Sequence, residues 1–364
     1  MVIAIPGGGR QTASGSWRRV RDGILESLVA IAIALAFGAF LLVITGHSPI
    51  VAYRELIART LLRPIGWQEV LVRATPLLIV GCAVLIAGRA GIWNIGIDGQ
   101  VLVGALAAGV AGSWLTDHGR LVLWGGAMLA GAIAGGLWGF VPSILRARFG
   151  INEIVTTLMF NYIAISLTSW LVKGPLRDPN VVSPQTRLIP GGMRLLTLGD
   201  TRVHVGLLFA IVLVMGVGWF LARTVAGFEL SVVGANPRAA RHGLIPVAGY
   251  VLAALVGSGA LAGLAGVNDV LSTKGTFQGE WNPGYGLAAF ALVFLARRSV
   301  AGLIPAALFL GMLSYGADVM PRAAGIAPAF FDVVEGTLLI TLAIGAWKHH
   351  RGAIRMASRK GVES

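Results

Sequence analysis

The chain has 364 residues, of which 56% are hydrophobic and only 12% are charged. Soluble domains carry about 25% charged residues, so this composition excludes a soluble globular protein. The net charge of +13 indicates basic cytoplasmic loops and contact with anionic lipid, because no basic stretch is interleaved with aromatic residues as in a nucleic-acid surface. Long apolar runs recur along the sequence, each of about 20 residues, and predict a polytopic membrane protein.

The apolar segments, taken in chain order, predict an all-α transmembrane bundle of about ten spans, with eight as the alternative. The predicted spans are residues 24–45, 69–88, 90–114, 120–145, 152–172, 203–222, 247–267, 284–296, 300–319 and 329–347. The first span is longer than a signal-peptide core and is predicted to stay uncleaved. Residues 24–347 form the predicted membrane domain, between a tail at 1–23 and a basic tail at 348–364.

Basic residues in the short loops predict that both termini lie in the cytoplasm. Arg146 and Arg148 follow the fourth span, and the loop at 223–246 is also basic. The long loop at 173–202 weakens this pattern because it carries basic residues as well. It is rich in proline, and we predict that it forms an ordered external surface.

A glycine-broken polar island between Ala90 and Gln100 interrupts the apolar pattern. Irregular backbone at membrane depth persists only where it is buried in protein or lines a watery cavity, and such interruptions point to transport sites. Asn94, Asp98 and Gln100 would be costly facing lipid. We therefore predict a broken helix near Trp93–Gln100 that forms part of a translocation path. The alternative is a short loop or a packing kink that carries no substrate.

Glycine and alanine are dense at 104–112, 125–139 and 257–266. Small residues let helix backbones approach closely in lipid, so these spans are predicted to pack tightly. The sequence contains no phosphate-binding loop, metal-binding cluster or nucleophile elbow, and its lone Cys82 offers no intrachain disulfide. We predict no cofactor and no enzyme activity in the chain, so an ion gradient or a separate ATPase would drive transport.

The loop at 223–246 contains a short basic helix with its own start and stop signals. Asn236 is suited to cap a helix that opens with Pro237 and ends at Gly243, the expected asymmetry of proline first and glycine last. A capped basic helix on the inner face is typical of a docking element for a cytoplasmic partner. The alternative is a solvated loop with an incidental helical turn.

Four segments resemble the permease subunits of bacterial ABC importers for simple sugars, nucleosides and branched-chain amino acids. They are residues 93–100, which read Trp-Asn-Ile-Gly-Ile-Asp-Gly-Gln, residues 152–164, residues 174–179 with 184–186, and residues 233–241. The first and fourth are shared broadly in this branch, and the second and third resemble its nucleoside subgroup. The resemblance covers nearly the whole core of the chain.

This resemblance implies a set of partners. Two permease subunits would form a gated pore in the bacterial cytoplasmic (inner) membrane, either as a homodimer or as a heterodimer with a sister permease. ATP-binding cassettes, in the nucleoside subgroup a double-cassette ATPase, would dock on the inner face. A nucleoside-binding lipoprotein or periplasmic binding protein would deliver the substrate. The open alternatives are the same machine importing a simple sugar such as ribose, an ion-coupled secondary transporter, or a structural subunit with no path.

The resemblance also implies roles for individual residues. The segment at 234–241 resembles a coupling helix that enters a cleft on the ATPase. The implied coupling residues are Gly234, Asn236, Pro237, Arg238, Ala239, Ala240 and Arg241. Of these, Asn236, Arg238 and Arg241 form the implied contact set. Aromatic and amide groups suit a nucleoside, which favours Trp93, Asn94, Gln100, Asn161 and Tyr162 for the substrate path. Arg177, Asp178 and Arg187 in the external loop are candidate contacts for the binding protein.

Several positions depart from the pattern of the family. Trp93 replaces the usual phenylalanine, and Asp98 replaces glutamate. Residues 296–300 lack the proline of the usual turn, and Glu335 with Gly336 stands where Gln-Gly is common. If these positions line the cavity, we expect the substrate preference to differ from that of relatives.

Overall fold

A computed structural model describes residues 13–360 of the chain, with side chains described over 23–345. The predicted tails therefore lie almost wholly outside the described side chains. The helices are α1 (Ala13–Ile44), α2 (Pro49–Ile57), α3 (Pro64–Arg89), α4 (Ile97–Leu115), α5 (Arg120–Phe149), α6 (Glu153–Lys173), α7 (Gly206–Arg223), α8 (Val225–Ala235), α9 (Pro237–His242), α10 (Val247–Asp269), α11 (Tyr285–Leu295), α12 (Val300–Ala324) and α13 (Ala329–Lys360). Residues 13–360 contain isolated β-bridges and no β-strand, so the all-α prediction is confirmed.

Eight of the described helices are long and apolar enough to cross a membrane, namely α1, α3, α4, α5, α6, α7, α10 and α12. The other two predicted segments correspond to α11 and α13. Helix α11 has 11 residues. It is therefore about 16 Å long, roughly half of the 30 Å bilayer core, and it does not span on its own.

Helix α3 is the central element of the bundle. In its most apolar window 78% of residues are buried, a larger share than in any other spanning helix described. Helices α7, α10, α11 and α12 surround it. Because the apolar residues of α3 are spread around the helix and not confined to one stripe, its sequence is typical of a core helix rather than of one that faces lipid.

Glycines bring α4, α5 and α10 into close contact. A Cβ atom added at Gly135 of α5 would lie 2.3 Å from the carbonyl oxygen of Gly259 on α10. One added at Gly263 would lie 2.2 Å from the carbonyl oxygen of Gly131. These helices touch backbone to backbone, which confirms the tight packing predicted from the small residues.

Two short helices were not predicted from the sequence. Helix α2 lies in the stretch that follows α1, and Pro49 is at its start. Helix α8 lies in the basic loop, where Thr224 caps it by accepting a hydrogen bond from the Gly227 amide at 3.0 Å. Both are too short to span, so a search for long apolar runs does not find them.

The two ends of the bundle are built differently. One end, here called the loop end, carries the irregular 174–205 loop. That loop is hydrogen-bonded to a second irregular segment at 275–284: the amide of Thr186 donates to Phe277 at 2.9 Å and that of Ile189 to Gly275 at 2.8 Å. The opposite end, here called the α9 end, carries α8 and α9 beside the end of α3.

Candidate functional site

The polar island is an irregular, buried connection between α3 and α4. Asn94 is 1% exposed, and its Nδ2 donates to Gln100 Oε1 at 2.9 Å and to Ser258 Oγ at 2.8 Å. Its Oδ1 accepts a hydrogen bond from the amide of Gly96 at 3.1 Å. The island is therefore a short irregular connection between two spanning helices rather than the predicted broken helix, and side chains of α4 and α10 stabilise it.

Helix α6 completes this arrangement from the other side. Asn161 Oδ1 accepts from the amide of Gly99 at 2.8 Å, and its Nδ2 donates to the carbonyl oxygen of Ile95 at 2.8 Å. Buried polar groups must find partners in protein, and an irregular backbone in an apolar interior raises that requirement. We call Asn94, Gln100, Asn161 and Ser258 the amide network.

The two aromatic residues predicted for the path lie elsewhere. Trp93 is 38% exposed and stacks on Phe290 and Phe294 of α11, at centroid distances of 5.9 and 5.7 Å. The guanidinium of Arg298 lies 5.8 Å from its ring. Tyr162 is exposed on α6, where it forms a shallow groove with Trp170. The structure thus brings three of the five residues together and separates the two aromatic ones.

A cavity of about 800 Å³ opens beside α3 at the loop end. Its walls come from α3, α10, α11, α12 and α13 and from the segment before α11. Its charged and aromatic lining residues include Glu69, Arg73, Asp269, Lys274, Trp281, Tyr285, Asp318, Asp332 and Glu335. We call it the acidic cavity; its volume lies within the range of ligand pockets, about 300–1,000 Å³.

Three acids of this cavity already have partners. Glu69 accepts from Arg202 of the 174–205 loop at 2.7 Å. Asp269 accepts from the hydroxyl of Tyr285 at 2.7 Å. Asp318 pairs with Arg73 across α3 and α12. These contacts fix the walls around the cavity.

The first turn of α11, which lines the acidic cavity through Tyr285, is held by a hydrogen bond to α4. Asp98 of α4 accepts a hydrogen bond from the amide of Gly286 at 2.7 Å, in the first turn of α11. A carboxylate at this position satisfies a free N–H and complements the positive end of the helix dipole. Asp98, one of the departures from the family pattern, therefore anchors a half-length helix.

The acidic cavity was not among the predicted path residues. Asp269 and Glu335 are ionisable residues within or beside apolar spans, which is a signal of function that the sequence carries. Glu335 and Gly336 do line the cavity, which is the condition set for an altered substrate preference. The Arg73–Asp318 pair joins residues far apart in sequence, so no local pattern indicates it.

The short basic helix is present as predicted. Asn236 Oδ1 accepts hydrogen bonds from the amides of Arg238 at 3.0 Å and Ala239 at 3.1 Å, and Gly243 follows the last residue of α9. Arg238 and Arg241 are exposed, whereas Ala240 is buried. Arg238 and Arg241 therefore lie on the exposed side of α9, and Ala240 packs against the bundle.

Gly234 fixes this helix against the centre of the bundle. A Cβ atom added at Gly234 would lie 2.0 Å from the carbonyl oxygen of Arg89, at the end of α3. Gly91, in the island, has φ +74° and lies against Gly234 as well. Any larger residue at position 234 would separate α8 and α9 from α3.

The three residues of the 174–205 loop that were predicted to contact the binding protein have different environments. Asp178 is buried and forms a turn by accepting from the amide of Asn180 at 3.0 Å. Arg177 donates to the carbonyl oxygen of Val182 at 2.9 Å. Arg187 is exposed. Two of the three therefore shape the loop, and Arg187 is presented outward.

A helical membrane bundle with an interior cavity and a capped basic helix is the architecture of a transport permease. Residues 67–343 match the family described as branched-chain amino acid transport system / permease component, and the chain belongs to this family.

Named relatives span most of the chain. The glucose ABC transporter permease TsgB13 of Haloferax volcanii is 33% identical over 86% of this chain and 86% of its own length. The guanosine ABC transporter permease NupP of Bacillus subtilis is 32% identical over 88% and 93%, respectively. The nucleoside ABC transporter permease NupB of Lactococcus lactis is 29% identical over 88% and 91%. The chain is thus a multi-pass membrane component of an ABC transport system.

Proposed function

We propose that the chain is the permease subunit of an ATP-driven importer that carries nucleosides across the bacterial cytoplasmic membrane. The acidic cavity carries this proposal, because it combines aromatic rings with hydrogen-bond acceptors in a space of ligand size. The names of the relatives NupP and NupB support a nucleoside. ATP hydrolysis belongs to a separate cassette subunit.

In this proposal the loop end faces outward and the α9 end faces the cytoplasm. Basic residues at the α9 end, Arg146, Arg223, Arg297 and Arg298 among them, support this orientation. Both termini are then cytoplasmic. The acidic cavity opens toward the outside, where a delivered solute would enter.

The path continues along α3 and α11 toward the α9 end. Trp93, in the island after α3, stacks on Phe290 and Phe294 of α11. We assign these three rings to the inner closure of the path. Asn94, Gln100 and Asn161 then act as wall residues that hold the broken backbone. Tyr162 is exposed on α6 beside Trp170. We assign it to the face that meets the second permease subunit.

The coupling assignment rests on α9. Its exposed Arg238 and Arg241 would enter a cleft on the ATPase, while Gly234 and Ala240 hold the helix to the bundle. Asn236 and Pro237 set where the helix begins, and Ala239 lies in its exposed turn. A double-cassette ATPase and a sister permease are the proposed partners; Bacillus subtilis has a second guanosine permease, NupQ, 26% identical to this chain.

The 174–205 loop is the proposed platform for the substrate-binding lipoprotein or periplasmic protein. Arg187 is its outward charge, and Arg177 and Asp178 keep the loop in shape. An ordered loop presents a docking surface without a large loss of conformational entropy on binding.

A simple sugar is the second candidate substrate. The relative TsgB13, named as a glucose permease, is 33% identical. Carboxylates accept hydrogen bonds from sugar hydroxyls as readily as from a nucleoside. The acidic cavity suits both kinds of neutral, donor-rich solute.

Uptake in cells tests the proposal directly. Cells with and without the gene are given labelled guanosine, with unlabelled glucose and ribose as competitors, and in parallel they are given each sugar in labelled form. The nucleoside assignment is supported if cells without the gene lose guanosine uptake and if neither sugar competes with guanosine in cells that have the gene. Loss of sugar uptake would move the assignment to sugars. Uptake that persists when the partner ATPase is inactivated would instead indicate an ion-coupled carrier.

The coupling assignment has its own test. The double change Arg238→Ala with Arg241→Ala is expected to lower uptake by at least about tenfold, as for interface arginines, while the bundle stays folded. Arg148→Ala is the matched control, since it removes an exposed arginine at the same end outside α9. Equal uptake by the double variant and the control would remove α9 from the coupling role.

A further inference from the structure

The charge of the acidic cavity is opposite to that of the protein. The chain has 29 basic and 16 acidic residues. The cavity is lined by five acids, Glu69, Asp269, Asp318, Asp332 and Glu335, and by two bases, Arg73 and Lys274. A cleft whose lining carries an excess of one sign of charge favours solutes of the opposite sign and disfavours those of like charge. The cavity is therefore unfavourable for phosphorylated solutes.

Two of the five acids remain available to a solute. Glu69, Asp269 and Asp318 are engaged by Arg202, Tyr285 and Arg73, as described above. Asp332 and Glu335 have no hydrogen-bond or ion-pair partner among residues 23–345. They are three residues apart on α13, so both carboxylates lie on one face of the helix.

Space and apolar surface lie near these carboxylates. A Cβ atom added at Gly336 would meet nothing within 4 Å, so the position beside Glu335 is open. Trp281 and Tyr285 line the same cavity. Lys274 lies 5.6 Å from the Trp281 ring and is thereby held against the wall. A planar or polyhydroxylated solute would find an apolar surface and free acceptors in one cavity.

We propose that Glu335, assisted by Asp332, determines the specificity of the permease by accepting hydrogen bonds from two adjacent donors on a neutral solute. This inference rests on the proposed function. Adjacent donors occur as the N–H groups of a guanine edge and as neighbouring hydroxyls of a ribose or hexose. One carboxylate accepts two such bonds with its two oxygens. Phosphorylated forms of the same solutes are rejected by the acidic lining.

The test uses the assembled transporter in proteoliposomes with its own binding protein. Uptake of labelled guanosine is competed by unlabelled inosine, which lacks the amino group, and by 2′-deoxyguanosine, which lacks a hydroxyl. Comparing each competition ratio between wild type and variant cancels the selectivity of the binding protein. Glu335→Gln keeps the size of the side chain and removes its charge.

Glu335→Gln is expected to reduce guanosine uptake by about tenfold or more, as for a lost hydrogen bond to a charged group. If the base edge supplies the donors, the variant loses the preference for guanosine over inosine. If the ribose supplies them, it loses the preference for guanosine over 2′-deoxyguanosine. Asp332→Asn is expected to give a smaller change of the same kind. Glu55→Gln is the control, since Glu55 pairs with Arg59 outside the cavity.

The outcomes distinguish a failure of the role of Glu335 from a failure of the proposed import function. If wild type imports guanosine and both variants keep its ratios within about twofold, below the effect of one such bond, the inference is overturned and the proposed function stands. If wild type imports glucose instead, the same ratios are measured with glucose and 2-deoxyglucose. Import of neither solute overturns both proposals.

Discussion

The amide network and the acidic cavity are two polar regions in one apolar bundle, and they use their polar groups in opposite ways. In the amide network, the side chains of Asn94 and Asn161 are bonded to protein groups on every side. In the acidic cavity, Asp332 and Glu335 face open space. The polar residues of this bundle thus either bond to protein groups or remain available to a solute, and their partners distinguish the two cases.

The largest expected effect comes from breaking the amide network. Asn94→Ala removes its hydrogen bonds and leaves Gln100, Ser258 and the amide of Gly96 without that partner. Each buried unpaired group costs about 1–3 kcal/mol, so we expect a strong fall in the melting temperature of the purified protein. Asp332→Asn, in the cavity, is expected to leave the melting temperature unchanged because Asp332 has no partner to lose among residues 23–345. An unchanged melting temperature for Asn94→Ala would contradict the structural role.

A second change tests the contact between α9 and the centre of the bundle. Gly234→Ala places a methyl group where the Arg89 carbonyl lies, so the α8–α9 connection must move away from α3. We expect the assembled complex to keep ATP hydrolysis while uptake falls by about tenfold or more, as expected for a displaced interface. Gly249→Ala, where the nearest atom is 3.9 Å away, is the matched control. Full uptake by Gly234→Ala would show that the contact is not required.

The smallest effect is expected at the surface of the loop end. Lys173 binds Glu280 at 2.6 Å and lowers the pKa of that carboxyl. A carboxyl whose pKa is lowered in the folded state stabilises the fold at pH values above its ordinary pKa. This stabilisation is lost as the pH falls through the lowered pKa. Glu280→Gln is thus expected to lower the melting temperature slightly at neutral pH and not in strong acid. A difference that grows in acid would contradict this sign.

The fold was largely predictable from the sequence because apolar length is a local property. The long spans, the small-residue packing and the Asn236 cap each depend on residues that are neighbours in the chain. Helix α8 was missed because its apolar run is too short to indicate a span.

The site was less predictable because it depends on pairing across the bundle. The island was predicted as a broken helix, whereas the structure forms it as an irregular connection between two spanning helices, α3 and α4. The pattern also carries no information on whether Asn94 meets protein or solute. The acidic cavity joins five helices, and its Arg73–Asp318 pair spans most of the chain. Asp269 and Glu335 are unusual residues in apolar stretches of the sequence. The sequence does not show which residues lie next to them in space, so it assigns them no role.

The hydrogen bonds between the 174–205 loop and the 275–284 segment have a consequence for engineering. The segment that holds the loop continues directly into Trp281 and Tyr285, which line the acidic cavity. A chimera that exchanges only the loop, in order to accept the binding protein of another transporter, would lose its backbone partners. The loop and the 275–284 segment therefore have to be exchanged together. Such an exchange would transfer the recognition of the binding protein along with part of the lining of the acidic cavity.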